Sequence, residues 1–388
     1  MDESRGAMRE KVKESIKRID FIVIITMTIL ICIGLFCERQ AFLLSEEQNS
    51  VFIKHLAGIS IGYILIIIII LVDYHFICNV SFFIYIFMIS ILAYTLIGGT
   101  NLNNVKRWVI IFGIPFQPSE LTKVVLILFL AFLCNHFKDR LNRWYVLMIL
   151  IAVTALPIGL IILEPHLSSS LAILFIFAII VYSSGISYKV IGTALALILP
   201  VIAVVFIGVA VFKVNIPFVE DYQIKRVLSF LSTDESDDLT GDYQQNQSIA
   251  AIGSGGLHGK TISKESEKDR TYQDIYAKES DFVFAIVGEE FGFLGSFLII
   301  MLYALLIFRC LIISAHTSDY MGRIICMGVS AYLIFQIFVN VGVATKLLPN
   351  TGLTLPFISY GLTSLISSMI AVGLVINIGV GRTYKGKR

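Results

Sequence analysis

Residues 281–308 read DFVFAIVGEEFGFLGSFLIIMLYALLIF, and the reading of this stretch decides the fold. Its second half is apolar without a break, while Asp281, Glu289 and Glu290 stand in the first half. A helix needs roughly 20 apolar residues to cross the hydrocarbon core of a bilayer. Taken as one helix, the stretch can cross and still carry its carboxylates at one end. Runs of the same kind recur along the whole chain. Hydrophobic residues make up 57% of the 388 residues and charged residues only 15%. Soluble domains run nearer a quarter charged. The composition therefore predicts an all-α polytopic membrane protein.

Ten spans are predicted, at 20–37, 51–72, 76–97, 119–137, 144–163, 167–184, 187–212, 281–308, 321–345 and 356–379. The polar break Glu164-Pro165-His166 divides 144–184, which is too long for one crossing. Ten spans place both termini on one side, and lysine and arginine choose the side. The N-terminal segment carries Arg5, Arg9, Lys11, Lys13, Lys17 and Arg18, and the C-terminal tail carries Arg382, Lys385, Lys387 and Arg388. Loops on that same side hold Lys138, Arg140, Arg143, Lys189, Arg309 and Arg323. The opposite short loops hold only Arg39, Lys106, Arg107 and Lys346. Both termini are therefore expected in the cytoplasm. The chain divides into a basic N-terminus (1–19), a membrane domain (20–380) and a basic tail (381–388). Within the membrane domain, 213–280 is expected as a large polar loop outside the cell, between spans 7 and 8. Six cysteines lie in or beside apolar runs with no CxxC pair, so neither a disulfide framework nor a zinc site is indicated.

Several polar groups gather on the predicted outer side. In 104–123, NVKRWVIIFGIPFQPSELTK, the order Pro118-Ser119-Glu120 reads as a helix start, with an acid favoured by the helix dipole. Glu120 and Lys123 share one helical face and can pair about one turn into the span, where ionisable groups commonly mark a cavity. Lys106 and Arg107 read either as solvated groups or as a clamp for a phosphate or pyrophosphate. Glu164 sits in a very short outer turn, where a solvated acid and a site role weigh equally. His166 alone is weak evidence for a metal. Near the mouth of span 10, Asn350-Thr351-Gly352 and Pro356, Ser359, Tyr360 and Gly361 imply irregular backbone against protein or a cavity. Helix packing by small residues accounts equally well for Ser364 and Gly361.

If Arg309 marks the inner headgroup level, Glu290 lies about 28 Å away along a straight helix and Asp281 about 42 Å. That places Asp281 at or above the outer headgroups and the glutamates near the outer boundary. Asp281 and the glutamates are separated by about 12–13 Å of rise and point in different directions. A glycosidase-type pair needs about 5–9.5 Å, so this helix alone does not make one unless it breaks. A lone carboxylate acting as general base remains open for Asp281. Glu289 and Glu290 read as structural, paired with a base such as Lys123 or Lys346.

Five segments in this order, KRW…QPSELTK (106–123), LEPHLSSS (163–170), QSIAAIGSGGLHGK (247–260), ESDFVFAIVGEEFGFLG (279–295) and LPNTGLTLPFISYGLTSL (348–365), resemble the signatures of the SEDS family (RodA/FtsW/SpoVE). The resemblance covers about residues 20–380. It implies a peptidoglycan glycosyltransferase that polymerises lipid II on the outer face of the bacterial cell membrane, beside a class B penicillin-binding protein. It assigns the essential aspartate to Asp281, and the basic and polar cluster to Arg107, Gln117, Ser119, Glu120 and Lys123. Glu164, Gln247, Ser359, Tyr360 and Ser364 are expected to line the cavity. No cofactor is firmly implied, although a divalent cation (Mg or Mn) could assist. The expected partners are lipid II, the undecaprenyl-pyrophosphate-linked glycan and membrane lipids, with no nucleic acid. The chain departs from the family pattern in three places. His166-Leu167-Ser168 stands for Asp-Leu-Gly, Leu362 for the second glycine of Ser-Tyr-Gly-Gly, and Lys346 where glycine is expected. A lipid II flippase, or a scaffold that only recruits the penicillin-binding protein, are the alternative readings.

Overall fold

The computed structural model describes residues 19–43, 48–102, 105–111, 114–164, 166–189, 192–193, 241–261 and 270–381. Ten α-helices stand among the described residues: α1 Phe21–Ala41, α2 Gln48–Leu71, α3 Tyr74–Gly98, α4 Pro118–His136, α5 Trp144–Leu163, α6 Leu167–Ser183, α7 Gly241–Ser254, α8 Val283–His316, α9 Tyr320–Ala344 and α10 Leu362–Gly381. Eight of them are long and apolar enough to cross a membrane, and α6 is a shorter apolar helix. The chain is an all-α polytopic membrane protein. Most of the expected seventh span (187–212), the acidic run at 234–238, the basic N-terminal segment, the C-terminal tail and the side chain of Lys106 lie outside the described residues.

Polarity sorts the bundle. Helices α4, α9 and α10 carry Glu120, Lys123, Gln336, Asn340, Ser367 and Ser368, and most of each is buried. Helices α2, α3 and α5 turn long apolar side chains outward. This is the arrangement a bilayer demands, because ionisable groups facing hydrocarbon are costly. Small residues permit the closest approaches. Gly58 and Gly62 of α2 leave room for Leu362 and Met369 of α10, as expected for helices packed in lipid.

Four elements depart from the sequence reading, three of them modestly. The loop expected between spans 3 and 4 is a three-stranded antiparallel sheet, β1 Thr100–Leu102, β2 Val105–Ile111 and β3 Ile114–Phe116. Thr100 pairs with Trp108 and Val109 with Phe116, with an irregularity between Thr100 and Asn101. Its Val, Ile and Trp residues favour strands, but the run is short beside the flanking spans. The large polar segment contains α7, which packs against α8 and α9 rather than standing free. The last span begins at Leu362 instead of 356, since Phe357 has φ +69° and the chain before it is irregular.

The largest departure is in the stretch that decided the fold. Helix α8 starts at Val283, runs past Arg309 to His316, and is broken at Gly292 (φ 66°, ψ −165°). In an unbroken helix Phe293 and Leu294 would donate to Glu289 and Glu290. Here Phe293 N donates to Gly256 O (2.9 Å) and Leu294 N to Leu257 O (3.1 Å). The freed carbonyls of Glu289 and Glu290 accept from Lys260 N (2.9 Å) and Thr261 N (3.1 Å). Backbone 256–261 thus takes the place of one helical turn and satisfies these four groups, as a low-dielectric setting requires. A side chain at Gly292 would collide with the main chain at His258 and Gly259. The straight-helix distance of about 42 Å from Arg309 to Asp281 therefore does not apply. Arg309 pairs with Asp20 (Nε to Oδ2, 3.1 Å), which ties α8 to the start of α1.

Candidate active site

Asp281 lies in the turn before α8. Ala277 has φ +56°, and its carbonyl accepts from Ser280 N, Asp281 N and Phe282 N. Asn340 of α9 donates to Asp281 O (2.9 Å) and to Leu353 O (2.7 Å). Ser359 Oγ donates to Ser280 O (2.6 Å), and Tyr360 N to Glu279 O (2.8 Å). The segment that carries the aspartate is thus held from three directions, and its carboxylate lies against Gly352, whose φ is +69°.

The break at Gly292 does not revive a paired-carboxylate mechanism, because residues 283–291 stay helical. Both glutamates are also taken up elsewhere. Glu289 accepts from Lys260 Nζ (2.8 Å), Thr271 N (2.9 Å) and Tyr272 N (3.0 Å). Glu290 accepts from Arg270 Nε (3.0 Å), Tyr272 Oη (2.7 Å) and Thr261 Oγ1 (2.9 Å). Their structural reading stands, but their partners come from the polar segment before α8, not from Lys123 or Lys346.

The basic and polar cluster is assembled at two helix starts. Gln117 and His166 stand at the N-cap positions of α4 and α6 without side-chain cap bonds, and Gln117 Nε2 lies 3.4 Å from His166 Nδ1. The sheet presents Arg107, whose Nε donates to Glu164 O (2.8 Å). One turn into α4, Lys123 Nζ donates to Glu120 Oε1 (2.7 Å) and lies 5.6 Å from the centre of the Tyr332 ring. Gln336 donates to Glu120 Oε2 (3.2 Å). Ser119 is fully buried. Two helix N-termini and two cations facing one region attract an anion.

Burial shifts two groups of the cluster. Burial pushes the Glu164 carboxyl up to about 7, against the opposing hydrogen bond from Thr95 and the charge of Arg107. Burial, then the charges of Arg107 and Lys123, hold the His166 imidazole well below its usual range, while the Gly352 main chain acts in the opposite sense. The charged imidazolium is thus disfavoured at His166. The segment at Thr351-Gly352 links the two halves of the site, since Ser168 Oγ of α6 donates to Thr351 O on one side and Asp281 lies against Gly352 on the other.

The remaining candidates separate. Ser364 Oγ and Thr354 Oγ1 lie 2.7 Å apart, and Ser359 Oγ also accepts from Leu355 N (2.8 Å), so both brace the irregular segment before α10. Gln247 donates to Tyr243 Oη (3.0 Å) on its own helix; its neighbours Gln245 and Ser248 instead bond the main chain of Val343, Leu348 and Ala344. Lys346 takes φ +56°, a conformation glycine adopts freely, which explains the expectation of glycine there. Leu362 fills the space above Gly58. Sequence reading missed Gln336 and Asn340, while Gly352 lies in the irregular backbone expected at the mouth of span 10. The first two were visible as amides one turn apart inside an apolar helix. Among the described residues, Ser119 Oγ, Glu164 Oε2, Ser170 Oγ, Gln336 Oε1, Asn340 Oδ1 and Thr351 Oγ1 are buried with no protein partner. No group of three or more His, Cys, Asp or Glu among the described residues comes together to hold a metal ion.

The sequence profile of the cell cycle protein family FtsW/RodA/SpoVE matches residues 17–384. This chain belongs to that family. Within it, the chain is 31% identical to the peptidoglycan glycosyltransferase MrdB of Escherichia coli (strain K12) over 79% of each chain. It is 30% identical to stage V sporulation protein E of Bacillus subtilis (strain 168), over 92% of this chain and 96% of that one. The FtsW/RodA/SpoVE fold is also seen in the Rod shape determining protein RodA of Thermus thermophilus, with a TM-score of 0.66 at 23% identity over 95% of this chain and 98% of that one. A chain from a peptidoglycan synthase complex that coordinates polymerization and crosslinking gives a TM-score of 0.77 at 25% identity, over 95% and 99%.

Proposed function

We infer that this family member is a peptidoglycan glycosyltransferase that polymerises lipid II on the outer face of the bacterial cytoplasmic membrane. The observation that carries the reading is the arrangement around Gly352. A held carboxylate, Asp281, stands on one side, and on the other Ser168 Oγ bonds Thr351 O at the start of α6, where Arg107 donates to Glu164 O and Gln117 meets His166. The curated relatives named peptidoglycan glycosyltransferase support the reaction class.

Asp281 takes the proton of the acceptor sugar's 4-hydroxyl as general base. The freed oxygen forms a bond to the anomeric carbon of the donor glycan, and the bond from that carbon to the pyrophosphate breaks. Undecaprenyl pyrophosphate leaves with the electron pair. Arg107, Lys123 and the N-termini of α4 and α6 meet the growing negative charge, which is the larger share of catalysis when donors are held in place beforehand. Gln117, Ser119 and Glu120 keep this cluster in register, while Glu164, Ser359, Tyr360 and Ser364 frame the space between it and Asp281. A divalent cation bound to the pyrophosphate would add to the positive field.

Membrane orientation follows from the lysine and arginine bias, with both termini cytoplasmic and the sheet, α7 and Asp281 outside. Ten crossings, with 213–280 as an outer segment between the seventh and eighth, fit that bias. A class B penicillin-binding protein is the partner this reading implies, in keeping with the synthase complex to which the fold is similar. A flippase needs polar groups spread through the membrane, whereas the buried charged groups of α4 stand one turn from the outer end. The purified chain given lipid II should form glycan strands, and Asp281→Asn should abolish them. Lipid II crossing vesicles without polymer would point to the flippase instead.

A further inference from the structure

One buried ionisable pair has no part in the chemistry above. Glu38, near the end of α1, meets His55 of α2 through Oε2 and Nδ1, and the two side chains are 2% and 1% exposed. Their other polar atoms, Glu38 Oε1 and His55 Nε2, are buried with no protein partner. A carboxylate on Nδ1 keeps the ring proton there, so the tautomer and the ring plane are both fixed. A staple between two helices does not call for such a pair. Burying charges is costly, and apolar residues of similar volume hold helices as well or better. The same two helices are already joined by a neutral contact, Thr28 Oγ1 to Tyr63 Oη at 2.6 Å.

The imidazole faces the active-site backbone through one side chain. The Tyr360 ring stands edge-on to His55, with centroids 5.6 Å apart and planes at 74°. Phe42 brackets the same ring at 5.8 Å and 79°. Tyr360 N donates to Glu279 O, and Ser359 Oγ to Ser280 O. Those two carbonyls belong to the residues directly before Asp281.

We propose that Glu38 and His55 are positioning residues for glycosyl transfer: Glu38 fixes the His55 ring, His55 and Phe42 hold the Tyr360 ring between them, and Tyr360 passes that constraint to the backbone of Asp281. The proposal rests on the assignment of Asp281 as the base. It accounts for an ionisable pair buried between two membrane helices, where such groups are rare and mark function.

The test uses the full chain with lipid II, reading kcat, KM and the thermal unfolding midpoint. Glu38→Gln keeps the shape but lets an amide donate as well as accept, so the tautomer is no longer imposed. The double variant Glu38→Leu with His55→Leu removes the pair. Both should lower kcat by about tenfold to a hundredfold, the scale of a small misplacement of a catalytic group, with KM within about twofold and the midpoint held or raised. Wild-type kcat in either folded variant overturns the proposal. If the double variant does not fold, Glu38→Gln alone decides. Polymerisation lost in Asp281→Asn but untouched in Glu38→Gln sinks this inference only. Polymerisation that survives Asp281→Asn sinks the assignment on which it rests.

Discussion

A methyl group placed on Gly352 would come within 3.2 Å of Asp281 Oδ2, so the candidate base rests on bare backbone. Gly352 also has φ +69°, where any L side chain is strained by about 1–2 kcal/mol. Gly352→Ala should therefore move the carboxylate and lower kcat by about tenfold or more, with a small fall in the unfolding midpoint. An unchanged rate of lipid II polymerisation would show that Asp281 does not depend on this contact.

The Arg270–Glu290 pair anchors the polar segment to the kinked top of α8, and both side chains are almost fully buried. Arg270→Ala leaves Glu290 buried without its cation, a change that costs about 3–5 kcal/mol. The expected signs are a lower unfolding midpoint and faster proteolysis at 255–261 and 270–274. Lys260→Ala should cost less, because Glu289 keeps the backbone donors of Thr271 and Tyr272. Equal losses in the two variants would contradict this ranking.

Lys123 and Glu120 test whether a buried pair is a brace or part of the site. Lys123→Met alone strands Glu120 and should destabilise by about 3–5 kcal/mol. Adding Glu120→Leu should recover most of that stability without recovering polymerisation. Recovery of both would remove Lys123 from the pyrophosphate cluster.

Glu164 gives the pH dependence a sign. Its carboxyl titrates at about 7 in the folded chain, against an ordinary 4.5, mainly because it is buried. The folded state binds this proton more tightly than the unfolded state. The contribution is therefore full below about 4.5 and lost as pH rises through about 7. Glu164→Gln holds the neutral form, so its unfolding midpoint should fall less between about pH 5 and about pH 8 than that of the parent. Parallel pH profiles for the two proteins would contradict the assignment.

Much of this was legible in the sequence because a bilayer reads sequence bluntly. Helix α5 begins at Trp144 and ends at Leu163, as hydropathy and the Glu164-Pro165-His166 break predict. The placement of Glu120 and Lys123 one turn inside α4 followed from helical spacing alone. The break at Gly292 was not legible, since the groups that replace the lost helical bonds come from 256–261, more than thirty residues upstream. For the same reason Lys260 and Arg270 could not be picked as partners of Glu289 and Glu290. The sheet at 100–116 escaped because its strands are short, and Gln247 was placed in the cavity although its neighbours Gln245 and Ser248 are the residues that turn inward.

The central claim is that one carboxylate carries the proton transfer. Its most direct measurement is the initial rate of lipid II polymerisation by the purified chain and by Asp281→Asn, with folding checked by the unfolding midpoint. A general base contributes about a hundredfold to ten-thousandfold, so the variant should fall by at least about a hundredfold with its midpoint retained. A folded Asp281→Asn protein that polymerises lipid II at the parent rate would contradict the account.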